Sequence, residues 1–272
     1  MMRIVFFTNK SARGATILAS MMARQLPIDA IFIDVKGNTL RNRAQKVNTT
    51  MKRMGVIETI RLVVQRLRTQ GLRRKRPDRQ HNRFYAAFSD TVYTVYDFNS
   101  TESETLLRTI APDLVVIGGS RILRRNIINI PKVGILNAHP GLLPAYRGVD
   151  VVPWAIYYGD PVGVTIHFID PGVDTGAIIA QKTVDLQPGD TLRSLMKRVD
   201  HLAGAMMAET VCALMQQGGV QAIPQAREQG TQYYRMPLTL RQEAERRLQN
   251  MIADMDNGAD NQVGVDYADT VY

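Results

Sequence analysis

Three side chains suited to acyl transfer lie close together in this 272-residue chain. Asn137 and His139 stand in the run GILNAHPGLLPAYRG, and Asp174 stands in VGVTIHFIDPGVDTG. One residue separates Asn137 from His139, so an extended segment turns both side chains to one face. Asp174 falls in a loop rich in Gly and Pro, directly after a strand-like run. An imidazole moves protons near neutral pH. A neighbouring carboxylate orients it and is expected to raise its pKa from about 6.5. A carboxamide N–H stabilises a developing oxyanion. Alone, His139 reads as a hydrogen-bonded turn histidine. With Asn137 and Asp174 it meets the paired-role test for a catalytic site. His167, in the alternating run TIHF, is a supporting residue, with a purely structural role as the alternative. His81 lies in a basic run and reads as solvated; His201 reads as a surface or packing residue. Four scattered histidines and one cysteine make no metal constellation.

These groups need elements to hold them. RIVFFT (3–8), AIFIDV (30–35) and DLVVIGG (113–119) are apolar strand runs, and VYTVYDF (92–98) adds another. NKSARGATILASMMARQL between the first two reads as a turn and a helix. SETLLRTIAP is a helix ended by Pro112, and RILRRNIINI a short helix. This order belongs to an α/β, nucleotide-fold-like half. It lacks a G-x-G-x-x-G fingerprint, so no dinucleotide is inferred. GILNAHPG carries the first catalytic pair at a strand end, where open α/β sheets place their sites. GVDVVPWAIYYGD reads as helical. VGVTIHFI (162–169) alternates as a half-buried strand does, and AIIAQKTVDL (177–186) is a candidate to pair with it. Residues 191–217 form one long amphipathic helix capped by Asp190 or Thr191, followed by GTQYYRMPLTL and a charged helix.

NAHPGLLPAYRG resembles the Asn-x-His-Pro-x-Leu-Leu-Pro signature of the formyltetrahydrofolate-dependent formyltransferases. The Asp-x-Gly of VDTG matches that family's second motif at a similar distance downstream. The resemblance is strong over about 112–200 and looser over 1–215. It implies a Rossmann-like α/β fold, a mostly parallel sheet flanked by helices; the chain's own pattern adds a basic helical insertion and a short C-terminal helical extension. The expected division is a catalytic domain over 1–217, interrupted by the insertion 36–84, an extension over 218–255 and a disordered acidic tail over 256–272. It also implies 10-formyltetrahydrofolate as formyl donor, with no metal. An amine would attack the formyl carbon, with His139 and Asn137 stabilising the oxyanion and Asp174 holding the imidazole. Main-chain groups of Arg121, Ile122 and Leu123 would meet the pterin, beside Ile169, Asp170 and Val173. Leu142, Leu143 and Ile122 could wall the ring, with ordinary core as the alternative. Gly141 stands where many relatives carry Ser.

The acceptor is narrowed partly by elimination. Glycinamide ribonucleotide transformylases carry a Gly-Asn-Gly-Ser type loop after the first strand. Here Thr8–Asn9–Lys10–Ser11–Ala12–Arg13–Gly14 stands in its place. Lys10, Ser11 and the helix N-terminus could still bind a phosphate. Methionyl-tRNA formyltransferases add a C-terminal barrel that the residues after Gly218 do not match. An amino sugar nucleotide or other small amine is the leading expectation, with Arg147 a candidate for an anionic acceptor at the cleft mouth. The other readings are a formyltetrahydrofolate hydrolase and a non-catalytic folate- or nucleic-acid-binding relative. Trp154 and Asp160 read as a core or wall residue and a turn residue.

The net charge of +9 is unevenly spread: Lys36–Phe84 holds fifteen Lys or Arg against Glu58 and Asp78, while Met251–Tyr272 holds five Asp and no base. The basic stretch includes an amphipathic helical pattern, VIETIRLVVQRLRTQGL. A solvated insertion is its plainest reading. Weak contact with an anionic membrane or nucleic acid is the alternative, and a homodimer is a further partner expectation. The N-terminal run reads as a first strand and not a signal peptide, and no run reaches membrane-spanning length. The single cysteine, Cys212, fits a reducing, cytoplasmic setting.

Overall fold

The computed structural model describes residues 2–35, 55–57, 91–226 and 228–257. Nearly all of the basic segment 36–84, with His81, and all but the start of the acidic tail lie outside the described residues. The expectations for membrane, nucleic acid and tail order therefore fall outside them too.

The N-terminal half is a parallel sheet wound outward from β1 (Ile4–Thr8). The helix α1 (Ala12–Ala23) leads to β2 (Ala30–Asp34), which precedes β3 (Val92–Val95). The helix α2 (Thr101–Ile110) leads to β4 (Leu114–Gly118), and the short α3 (Arg125–Ile128) to β5 (Gly134–His139). Then follow β6 (Tyr146–Gly148), α4 (Val151–Tyr158), β7 (Gly163–Phe168) and β8 (Ile178–Thr183). The long α5 (Leu192–Gln217), β9 (Thr231–Tyr233) and α6 (Leu238–Asn257) complete the described chain. The main sheet runs β3-β2-β1-β4-β5-β7-β8, parallel as far as β5 and antiparallel across β5–β7 and β7–β8. The direction of winding reverses between β1 and β4, the switch point where such sheets open a crevice at the carboxyl ends of their strands.

Alternate residues of each central strand enter separate apolar cores. Ile4 and Phe6 face one with α1, α4, α5 and α6; Val5 and Phe7 face the other with Phe98, Leu107 and Ile127. Burial on both faces explains the near-continuous apolar runs. It also corrects the half-buried reading of β7, whose polar Thr165 and His167 are as buried as their apolar neighbours. Met236, Ala244, Leu248 and Ile252 join the α5 core, so the extension shares the core of the residues before it. Among the described residues no helix is long and apolar enough to cross a membrane.

Two local expectations change. Arg121–Arg124 is not helical, because the Asn99 side chain accepts from Arg124 N–H at 2.7 Å and donates to the Ile122 carbonyl at 3.0 Å, holding the backbone extended. A second, two-stranded parallel sheet joins β6 to β9. Three-residue strands leave too little periodicity to be seen in sequence. For α5, the cap is Thr191 and not Asp190: Thr191 Oγ1 accepts from Ser194 N–H at 3.1 Å, and Ser194 Oγ accepts from Thr191 N–H at 2.8 Å.

Candidate active site

The site sits at the carboxyl end of β5. The antiparallel register sets Asn137 opposite His167 and His139 opposite Thr165. Cross-strand neighbours on one face approach closely, and Asn137 Nδ2 lies 3.1 Å from His167 Nε2. His167 Nδ1 lies 2.7 Å from the Phe168 carbonyl. A carbonyl can only accept, so Nδ1 carries the proton and Nε2 accepts from the Asn137 amide. That fixes which end of Asn137 is nitrogen and leaves its second N–H for a ligand.

The same logic sets the tautomer of His139. Its Nε2 lies 2.7 Å from the Tyr146 carbonyl, so Nε2–H donates there. Its Nδ1 is turned to Asp174 Oδ2 at 3.5 Å, and His167 Nε2 lies 3.8 Å from Asp174 Oδ1. Asp174 Oδ2 accepts from Gly148 N–H at 2.8 Å. Asp174 itself holds a left-handed backbone, φ 53, that side-chain-bearing residues adopt at functional turns. Strand β6 therefore supplies the partner of each: the Tyr146 carbonyl for His139 and the Gly148 amide for Asp174.

Burial decides the electrostatics. The charge of Asp174 and the Tyr146 carbonyl do pull the His139 pKa up. Desolvation outweighs both, with Arg13 adding to it, and the ring stays below 6.5. The expected net rise is thus overturned, because a nearly fully enclosed imidazole loses more hydration than one carboxylate restores. Desolvation, reinforced by His139, lowers His167 to about 4. Both rings are neutral at pH 7, so Nδ1 of His139 is a proton acceptor with a carboxylate placed to stabilise the imidazolium that forms.

A cleft of about 520 Å³ opens onto these groups, a size typical of small-ligand pockets. Asn137, His139 and Asp174 line it, as do Arg121, Ile122, Leu123, Ile169, Asp170 and Val173. Arg121 Nε pairs with Asp34 at 2.9 Å, and Ile122 is 67% exposed, an apolar side chain open to a ligand. Leu143 is not in the wall. It is buried, its N–H bonded to Thr165 Oγ1 at 3.1 Å and its carbonyl to Gln181 Nε2 at 2.7 Å. Leu142 packs against Gly163. Lys10 and Ser11 also lie outside the wall: the Ser11 hydroxyl caps α1 by accepting from Gly14 N–H at 3.1 Å and donating to the Gly118 carbonyl at 3.0 Å. Arg147 is buried, with Nη2 directed to Gln225 Oε1 and the Ala226 carbonyl, each at 3.2 Å, and not to the cleft. A side chain's direction depends on strand register, which the sequence position alone did not give.

Other residues reach the cleft unforeseen: Arg13, Asp150, Met196 and the run Gln232–Arg235. Tyr233–Tyr234–Arg235 carried an aromatic and basic signal, but only its docking on β6 brings it to the site. Two glycines permit that docking. A Cβ on Gly148 would stand 2.1 Å from the Tyr233 carbonyl oxygen, and one on Gly230 would stand 1.6 Å from that of Pro144. Among the described residues, no group of three or more His, Cys, Asp or Glu is placed to hold a metal ion.

A family model described as formyl transferase matches residues 2–211. Among curated proteins, the chain is 40% identical over 129 residues to methionyl-tRNA formyltransferase of Koribacter versatilis, covering 47% of this chain and 41% of that one. It is 41% identical over 127 residues to methionyl-tRNA formyltransferase of Chloroflexus aggregans, covering 46% and 41%. The match thus spans about two-fifths of the length of these relatives. Among solved structures, a sugar N-formyltransferase of a Shewanella species superposes with a TM-score of 0.58 at 16% identity, covering 91% of this chain and 88% of that one. A phosphoribosylglycinamide formyltransferase of Streptococcus pneumoniae gives 0.52 at 22% identity, covering 79% and 99%. At these identities the two structures establish a shared fold.

Proposed function

This chain belongs to the formyl transferase family, and from that premise we propose that it moves a formyl group from 10-formyltetrahydrofolate to the primary amine of a small anionic acceptor, an amino sugar nucleotide first. The observation that carries the chemistry is the pairing of a neutral His139 Nδ1 with Asp174, next to an Asn137 amide whose orientation is fixed. The amine nitrogen attacks the formyl carbon and its lone pair forms the new C–N bond. The carbonyl electrons move to oxygen, where the free N–H of Asn137 stabilises them. His139 Nδ1 takes the proton from the attacking nitrogen, and Asp174 stabilises the resulting imidazolium. As the oxyanion collapses, the bond from carbon to N10 breaks and the proton passes to N10. The products are the formamide and tetrahydrofolate, with no net proton released.

Arg121, Ile122, Leu123, Ile169, Asp170 and Val173 are assigned to the folate, with backbone groups and apolar side chains facing a planar ring. Leu143 acts behind them as scaffold. The acceptor side is reassigned from Lys10, Ser11 and Arg147 to Arg13, Tyr234 and Arg235, which line the cleft. Two guanidiniums suit phosphate oxygens, and a half-exposed tyrosine suits a sugar or base face. The likeness to methionyl-tRNA formyltransferases favours a second reading, in which the amine is carried on RNA.

The test is tetrahydrofolate release from 10-formyltetrahydrofolate, followed by absorbance, with dTDP- and UDP-linked amino sugars, glycinamide ribonucleotide, methionyl-tRNA and water alone. Turnover with an amino sugar nucleotide, abolished in His139→Ala and with a raised acceptor KM in Arg235→Ala, is the expected result. Turnover with methionyl-tRNA alone replaces the acceptor assignment. Formate release in water at the same rate as with any amine replaces the transferase by a hydrolase.

A further inference from the structure

The segment after α5 lies beyond the residues the family model matches, yet it reaches the catalytic loop. Ile223 is pinned to Ile178 by two backbone hydrogen bonds of 2.7 and 2.8 Å. This sets the position of Gln225, two residues on. Gln225 Nε2 donates to the Gly176 carbonyl at 2.6 Å and to the Asp174 carbonyl at 3.2 Å. Its Oε1 accepts from Arg147 Nη2 at 3.2 Å. Arg147 belongs to β6, the strand whose Gly148 amide holds the Asp174 carboxylate and whose Tyr146 carbonyl holds His139. A single carboxamide therefore ties the backbone on either side of Thr175 to the strand that aims both catalytic side chains. Asp174 needs such a tie, since its left-handed backbone persists only where the surroundings enforce it.

We propose that Gln225 is a positioning residue that fixes the Asp174 loop against β6 and so holds the carboxylate at His139. The proposal rests on the reading that Asp174 serves His139, and its test does not require turnover. Two variants separate positioning from simple anchoring. Gln225→Ala removes all three hydrogen bonds. Gln225→Glu keeps an acceptor for Arg147 but sets a carboxylate against two carbonyls in place of two donors. An anchor for Arg147 alone would tolerate Glu; a brace for the Asp174 loop would not.

The experiment is an NMR titration of ring-labelled histidines in the full chain, for wild type, Asp174→Asn, Gln225→Ala and Gln225→Glu, with melting temperatures taken in parallel. The charged and titratable groups facing His139 are Asp174, His167 and Arg13. Loss of the opposite charge in Asp174→Asn moves the His139 midpoint to lower pH, by about one unit or more. Gln225→Ala is expected to move it the same way, and Gln225→Glu less far, because its own carboxylate pulls the midpoint back up. A wild-type His139 midpoint in folded Gln225→Ala overturns the proposal. A wild-type midpoint in Asp174→Asn instead overturns the underlying pairing of Asp174 with His139. Should Gln225→Ala not fold, Gln225→Asn decides: its shorter arm withdraws the amide from both carbonyls, and an unmoved His139 overturns the brace.

Discussion

His139 gives one ring nitrogen to the Tyr146 carbonyl and turns the other to Asp174, and this division sets when the ring can act. Burial keeps it neutral below the ordinary imidazole range. Protonation at Nδ1 before substrate arrives would abolish its capacity as a base. Turnover should therefore rise with pH through a midpoint below 6.5 and be level around neutrality. In Asp174→Asn the midpoint should fall further, because an opposing charge is removed, and kcat should fall with it; a pH–rate profile of kcat checks both. Asn137 is expected to act on the oxyanion and not on ground-state binding. Asn137→Ala should lower kcat by about 10²–10³ with little change in the KM for the formyl donor. Steady-state kinetics separate that outcome from a folate-binding role, which would raise KM.

Strand β6 carries consequence out of proportion to its three residues. It holds His139 and Asp174 from one side and β9 from the other, with Val149 N–H donating to the Tyr233 carbonyl at 3.1 Å. Gly148 has φ 99, and a methyl group there would meet the Tyr233 carbonyl. Gly148→Ala should release β9 and with it the Tyr234–Arg235 wall. The chain's single tryptophan reports this, since Trp154 Nε1 donates to the Tyr234 carbonyl at 2.8 Å and its ring lies 5.4 Å from that of Tyr233. Its emission should shift to the red while far-UV circular dichroism is retained; unchanged emission would mean β9 stays docked. The cap of α5 is a stability element and not a catalytic one. Thr191→Ala removes one side of the reciprocal cap and should cost about 1 kcal/mol in denaturant unfolding, with activity intact.

At the scale of the whole molecule, two neutral imidazoles are sealed between sheet and loops. His167 titrates at about 4 when folded against an ordinary 6.5, with His139 depressed in the same direction. Between those values the unfolded chain binds more protons than the folded one, so stability rises with pH across that window and is level above it. Acid should therefore destabilise the protein as pH falls below about 6.5, with a slope of up to about 1.4 kcal/mol per pH unit for each such histidine. Urea midpoints measured across pH 4–7 test this. His167→Gln should flatten the curve, and a wild-type curve that is level to pH 4 would show that the rings are not held neutral. The C-terminal helix packs its apolar face into the α5 core.

The sequence by itself determined much that is local. Apolar runs marked β1, β2 and β4, whose two buried faces are filled mainly by apolar side chains. The i, i+2 spacing put Asn137 and His139 on one face, because the side-chain alternation of a strand is fixed by its backbone. The pairing of β7 with β8 was legible because both runs alternate and follow one another across a single Gly- and Pro-rich loop. Only the tertiary structure decided the rest. The net lowering of the His139 pKa comes from enclosure by distant segments, which no motif encodes. Arg147, Ser11 and Leu143 have chemistry that suits a ligand, yet each is turned to a protein partner by register or capping. Tyr233–Arg235 reach the site through a parallel pairing of residues more than eighty positions apart, and Gln225 through the antiparallel bridge of Ile223 to Ile178. Such contacts depend on packing across the whole chain, whereas periodicity records only the geometry of neighbouring residues.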